Sequence, residues 1–271
     1  MAPAAQNSGN LVVAFVNCMV SVNQPEKIII TNRHGEKLVG LLHETGSREL
    51  VILCHGARSH KGDNIMTKLA LALENEGISV FRFDFAGNGE SEGTFQFGHY
   101  WREVDDLHDV IQHFSGTNHT VSAILGPHVH HKLTSHQPDL SSLASGKFNY
   151  CFDIGYHCIE NTILLHNVAA GGDEVLLYAS KYGDVRTVVN VSGRYDLNGG
   201  LELRLGKNFM EVIKKQGYMD IKDKTGSFDC RVTEESLLDR MSTNMHESCL
   251  KIDKDCRVLT AAIEQDKTSS N

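Results

Sequence analysis

The sequence is short of proline, of tryptophan and of positive charge. Its 271 residues include four prolines and one tryptophan, and 34 acidic side chains outweigh 26 basic ones for a net charge of −8. Such a balance argues against nucleic acid or an anionic membrane as the main partner, because both require a basic face. Long apolar runs are also missing. Leu11 to Val22 is apolar over 12 residues, too few to cross a bilayer. No Lys or Arg precedes Lys27, so this run lacks the basic leader of a secretory signal and reads as an extra strand or an N-terminal extension over 1–26. The seven cysteines are odd in number and follow no repeated spacing. That pattern suggests reduced thiols in the cytosol or nucleus rather than a disulfide framework, and a cytoplasmic setting is the expectation. No internal repeat is visible.

What is present is an ordinary globular composition, 41% hydrophobic and 22% charged, enough for one sizeable α/β domain or two small ones. Lys27–Asn32 and Lys37–His43 are apolar runs joined by Arg33-His34-Gly35-Glu36, the pattern of a β-hairpin. Glu49–Cys54 reads as a strand buried on both faces. After it, Asp63 can cap a helix whose stripe is Ile65, Leu69 and Leu73 with Met66 and Ala70, ending at Gly77. Ile78–Asp84 is the next strand, and the strand–helix–strand order implies a parallel pair with a right-handed crossover. A glycine-rich loop, Phe85 to Gly93, leads to a helix over Tyr100–Phe114 with Val104, Leu107, Ile111 and Phe114 on its apolar face and its acids on the other side. Val121–Gly126 is another strand.

The segment 127–170 breaks this rhythm. It holds six of the fifteen histidines and two of the four prolines, and it shows neither a 3.6 nor a 2 period. A 44-residue loop inside a compact α/β domain is unusual. Regular pattern resumes with a helix over Asp173–Tyr182 and a strand over Thr187–Val191. Leu197–Cys249 reads as mixed helix and loop with a helix start at Thr233, Cys256–Thr260 as one more strand, and 261–271 as a divergent tail.

The order and spacing of VILCHGARS, ISVFRFDFAGNGESEG, YWREVDDLHDVIQHFSG, VSAILG, GGDEVLLYASKY, VVNVSGRYDL, RVTEESLLDRMSTNMH and CRVLT closely resemble plant α/β-hydrolase superfamily proteins of the serine aminopeptidase-like type. The resemblance covers 27–126 and 171–260, 190 of the 271 residues. It implies an α/β fold with a doubly wound, mostly parallel sheet, a cap-like region over 197–250, and a long insert after the fifth strand. It also implies ester or amide hydrolysis of a small-molecule substrate through an acyl-serine, with a Ser-Asp-His triad and no cofactor. His55, Gly56 and Ala57 take the place of the family's oxyanion loop, and Asp84, Gly87, Gly89 and Ser91 that of a loop bordering the active site.

The departures are as specific as the matches. In the family the strand ending in Ile-Leu-Gly runs into His-Ser-Lys-Gly-Gly, and that serine is the nucleophile. Here Gly126 is followed by Pro127, and the pattern returns at Gly171-Gly172, leaving only the remnants of an elbow. The elements carrying the family's acid and base follow the last strand, where this chain diverges at Ala261 and ends at Asn271. No catalytic residue is then intact at its expected place. Removing one triad member typically costs about 10⁴ to 10⁶ in turnover. The expectation is a C-terminally truncated, catalytically impaired chain, whose insert resembles retained-intron or mis-joined sequence of a splice variant. The alternative is a pseudoenzyme acting as a binding or regulatory module.

Several decoys compete with this reading. Gly89-Glu90-Ser91-Glu92-Gly93 is a literal Gly-x-Ser-x-Gly, but Ser91 lies seven residues past Asp84 and no helix follows directly, so it is not expected to be a nucleophile. His128, His130 and His131, with Cys151, His157 and Cys158, lack the paired short spacing of a zinc site and read as a solvated insert. The motif around His131 to Gln137 faintly resembles the family's base-histidine segment and is taken as coincidence. Asp196 and Cys54 read as a cap residue and a buried apolar side chain rather than catalytic groups.

Overall fold

The structure, a computed structural model, describes residues 24–127, 171–223 and 225–261. Nine strands and seven helices are found among them. Strand β1 (Glu26–Thr31) and strand β2 (Lys37–His43) form the expected antiparallel hairpin. Strand β3 (Glu49–Cys54), helix α1 (Asn64–Asn75) and strand β4 (Ser79–Phe83) make the expected βαβ unit, with β3 and β4 parallel. Helix α2 (Tyr100–Ser115) leads into strand β5 (Thr120–Pro127). Helix α3 (Gly172–Lys181) and strand β6 (Thr187–Val191) follow. Helices α4 (Leu201–Leu205) and α5 (Phe209–Gln216), strands β7 (Tyr218–Lys222) and β8 (Phe228–Thr233), and helices α6 (Glu234–Ser242) and α7 (Met245–Cys249) build the cap-like region, before strand β9 (Arg257–Ala261).

The main sheet runs β1-β2-β4-β3-β5-β6-β9. Its last five strands are parallel, and only the β1–β2 hairpin side is antiparallel. Parallel strands need cover on both faces. Met66, Leu69, Ala70 and Leu73 of α1 seal one face against Val51, Leu53, Val80 and Leu125. On the other face, Val104, Leu107, Ile111 and Phe114 of α2 and Val175, Leu177 and Tyr178 of α3 close over Ile52, Phe81, Phe83 and Ile124. A third cluster, Phe97 with Leu201, Phe209, Ile213, Val232 and Leu237, holds the cap together and ties it to the core.

Four details differ from the sequence reading. Asp63 occupies the N-cap position of α1 but makes no side-chain cap hydrogen bond; its carboxylate instead accepts from the Ser59 hydroxyl. The acids of α2 do not all face away from the core, since Asp106 is buried. The stretch read as helix and loop contains the antiparallel β7–β8 hairpin, whose period-2 alternation is interrupted by a register shift at Ile221/Lys222. Finally, the segment boundaries move by one residue, because Glu26 opens β1, Pro127 closes β5 and Ala261 closes β9. Most of the 127–170 insert, the N-terminal apolar run and most of the tail lie outside the described residues.

Candidate active site

The parallel strands β3, β4, β5 and β6 all end on one side, where a doubly wound sheet presents its loops to ligand. The His55 loop follows β3, the Asp84–Gly93 loop follows β4, and the interrupted junction follows β5.

His55 is locked between two of these loops. Its Nδ1–H donates to the Gly56 carbonyl at 2.8 Å, and its Nε2 accepts from the Phe85 amide at 3.0 Å. Both ring nitrogens are used, and the Phe85 bond requires an unprotonated Nε2. Burial pushes the imidazole pKa down, so the ring stays neutral and serves as a hinge pin between the β3 and β4 loops. Next to it, Ala57 is part-buried and Arg58 takes a left-handed φ of 60°. The Arg58 guanidinium reaches across to Asp229 on β8, with Nη1 donating to Oδ2 at 2.7 Å, and fastens this loop to the cap.

Asp84 is fully buried and organises the next loop. It accepts from the Lys61 amide and ammonium and from the Glu90 amide at 2.9 Å. Gly89 must lack a side chain, since a Cβ there would fall 2.2 Å from an Asp84 oxygen, and Gly87 backs just as tightly onto the Phe95 amide. Ser91 Oγ donates to the Asp84 carbonyl at 2.6 Å and accepts from the Val39 amide at 2.9 Å. Those bonds hold the loop against β2. Asp106 braces it from beneath, accepting from the Ala86 amide at 2.9 Å and from Asn32 Nδ2 at 2.8 Å.

At the third junction the end of β5 meets the start of α3. Gly126 and Gly171 are packed so closely that a Cβ on Gly126 would lie 1.7 Å from the Gly171 carbonyl oxygen. Gly171 turns at φ +85° and opens α3, and its amide donates to the Glu174 carboxylate. Gly172 lies against Asn190 and Gly193 at the end of β6, where a side chain would collide. The described residues on either flank, Pro127 and Gly171, supply no hydroxyl or thiol.

The elbow helix carries buried acid. Asp173 and Glu174 are both fully buried. Burial, with Glu103 of α2 alongside, raises the Glu174 carboxyl well above its usual range, and burial raises Asp173 likewise, with the neighbouring Glu174 adding to the effect. Glu103 is pushed up to about 7 by burial. Cys54, at the end of β3 behind Gly171, is fully buried and its thiol is raised by the same cause, so it is not a ready thiolate. Asp196 is an exposed turn residue that accepts from the Asn198 amide at 2.9 Å.

The structure thus brings together the three stretches singled out in the sequence: His55 to Ala57, Asp84 to Ser91, and Gly126 with Gly171 and Gly172. Lys61, Asp106 and Arg58 were not foreseen, because each acts through a partner remote in the chain. Half of one contact could have been seen: Glu174, three residues after Gly171, stands where a capping-box acid reaches back to the N-cap amide. Among the described residues no group of three or more His, Cys, Asp or Glu side chains is disposed to hold a metal. The histidines and cysteines of the insert lie outside those residues.

Residues 45–128, from the approach to β3 through the end of β5, match the family model for serine aminopeptidase, S33. The ferulic acid complex of Est1E from Butyrivibrio proteoclasticus superposes with a TM-score of 0.57 at 16% identity, over 86% of this chain and 77% of that one. The fold is that of the α/β hydrolases. The α/β hydrolase GrgF from Penicillium sp. sh18 aligns at TM-score 0.59 and 15% identity over 89% of this chain and 90% of its own. Mouse α/β hydrolase domain-containing protein 10 aligns at 0.54 and 11% over 89% and 90%. No curated protein matches the sequence.

Proposed function

We propose that this chain is a serine esterase- or peptidase-like α/β hydrolase whose ester- or amide-cleaving chemistry is switched off at the nucleophile. The observation that carries the reading is the contact between Gly126 and Gly171. An elbow of the form Gly-x-Ser-x-Gly places its serine two residues from each flanking glycine, and neither His128 nor Ala169 is a serine. Ser91 is an unsuitable substitute, because its Oγ is committed to the Asp84 carbonyl and the Val39 amide with no imidazole on it. His55, Gly56 and Ala57 would be an oxyanion loop left without the partner amide that follows a nucleophile.

A serine-directed fluorophosphonate, together with turnover of short-chain aryl esters and aminoacyl amides, tests this. The expected result is no adduct and no turnover above the uncatalysed rate. A stoichiometric adduct mapped to one serine overturns it.

The splice-variant reading predicts that the tryptic peptide at 133–147 occurs in cells alongside peptides of the core, in a fixed ratio. Its absence where core peptides are abundant counts against the interrupted chain as a cellular product. A second reading, a binding or regulatory module, is favoured by the cap, which keeps a packed apolar cluster and the Arg58–Asp229 bridge to the core. It predicts a defined oligomeric state and one cooperative unfolding transition.

A further inference from the structure

Three arginines line the seam between core and cap with acids nearby, Asp229 for Arg204 and Asp173 and Asp196 for Arg194, but none within ion-pair distance. Arg33, Arg58, Arg102 and Arg231 each form an ion pair. Arg194, Arg204 and Arg240 form none among the described residues. They come from three places: the loop after β6, helix α4 and helix α6.

Phe97 joins two of them. The Arg204 guanidinium lies 4.7 Å from its ring centroid and that of Arg240 lies 5.1 Å from it. Arg240 is 2% exposed, donates from Nη1 to the Tyr100 hydroxyl at 2.9 Å and leaves Nε without a partner. Arg194 and Arg204 are part-buried. Burial lowers the pKa of both, and the neighbouring Arg240 charge lowers each further. Asp173 accepts the Arg194 backbone amide rather than its guanidinium, whose Nη1 reaches the Gly199 carbonyl at 3.5 Å. Burial raises the Asp173 carboxyl, while the charges of Arg194 and Arg240 pull it back down.

The Phe97 ring attracts both cations but accepts no conventional hydrogen bond from them, and Arg240 Nε is left without one. Charge taken out of water without a partner is costly, and a cluster of like charges more so. An oxyanion relieves both, and the planar arginine fork suits its geometry. The arc also has a direction. It begins at Arg204, beside Arg58 of the loop after β3 and Asp229 of β8, and it ends at Arg194 against Asp173, the second residue of α3.

We propose that this seam binds a small ligand through its oxyanion group, a carboxylate or a phosphate, held by Arg194, Arg204 and Arg240. Binding here requires no turnover and goes beyond the proposed loss of catalysis. The phosphonate experiment decides that loss, and the following one decides the site.

Arginine footprinting with phenylglyoxal on the full chain, read by peptide mass spectrometry, reports the site directly. Inorganic phosphate and benzoate are the two probes, sodium chloride at matched ionic strength is the control, and exposed Arg48 and Arg186 are the references. The expected result is that one probe or both slow modification of Arg194 and Arg204, by about tenfold when the probe is at about ten times its Kd. Protection by phosphate alone names a phosphate ligand, and protection by benzoate alone a carboxylate. No protection by either, or equal protection of Arg48 and Arg186, overturns the proposal. Arg204→Gln supplies the second readout: the probe's upward shift of the unfolding temperature is expected to disappear, and an undiminished shift overturns the assignment. Should that variant fail to fold, the footprint on the unaltered chain still decides.

Discussion

Gly126, the penultimate residue of β5, lies against the carbonyl of Gly171 at a separation that admits no side chain. The two residues are remote in sequence, yet they meet where β5 ends and α3 begins. Gly126→Ala would drive a methyl group to 1.7 Å from the Gly171 oxygen and 2.2 Å from its carbonyl carbon. Backbone atoms between a central strand and its helix cannot step aside cheaply. The variant should lose about 2–4 kcal/mol, measured as a lower urea midpoint at unchanged slope. An unaltered midpoint would mean that the strand and helix do not meet this way.

Asp84 and Lys61 form a buried charge pair on which the β4 loop depends. Asp84→Ala would leave the Lys61 ammonium with only the exposed Glu90 and would orphan the amides of Lys61 and Glu90. Breaking a buried pair from one side typically costs about 3–5 kcal/mol. Lys61→Met together with Asp84→Ala should cost less than the sum of the two single changes. Additive losses in this double-mutant cycle would show that the pair is not coupled.

Glu103 sets a pH dependence. Its carboxyl is held up to about 7 against a reference of 4.5. Between those values the folded chain keeps a proton that the unfolded chain has lost. The contribution to stability is therefore complete below about 4.5 and falls as pH rises towards 7. Glu103→Gln imitates the protonated form and removes that fall. Relative to the parent, the variant should gain stability on going from about pH 5 to about pH 8, by on the order of 2 kcal/mol. Parallel stability curves for the two proteins would rule the buried-acid account out.

The strands and helices that the sequence announced share one property: their signal is local. Glu49–Cys54 is apolar without interruption because β3 is covered on both faces, and the stripe of α1 repeats because one side meets the sheet. The β7–β8 hairpin was not legible, since its residues alternate between solvent and a small cap core and its ladder slips at Ile221. The outline of the site was legible as three glycine-bearing turns at strand ends. Its electrostatics were not. Asp106 reads as a surface acid among other acids until Ala86 and Asn32 fold onto it. Likewise, Arg204 and Arg240 reveal nothing in sequence of the phenylalanine they share.

Ser91 separates a structural serine from a chemical one. Its Oγ links the Asp84 carbonyl to the Val39 amide, so it joins the β4 loop to β2. Ser91→Ala removes both bonds at a part-buried position and should cost about 1–2 kcal/mol, the toll for one lost hydroxyl that leaves two backbone groups unpaired. Ser91→Thr keeps the hydroxyl and should restore much of that loss if the added methyl is accommodated. Phosphonate labelling should be nil in the parent and in both variants. A nucleophilic Ser91 would give the opposite pattern: a labelled parent, an unlabelled alanine variant, and little change in stability. The urea curve and the labelling gel, run on the same preparations, therefore distinguish a loop fastener from an active serine.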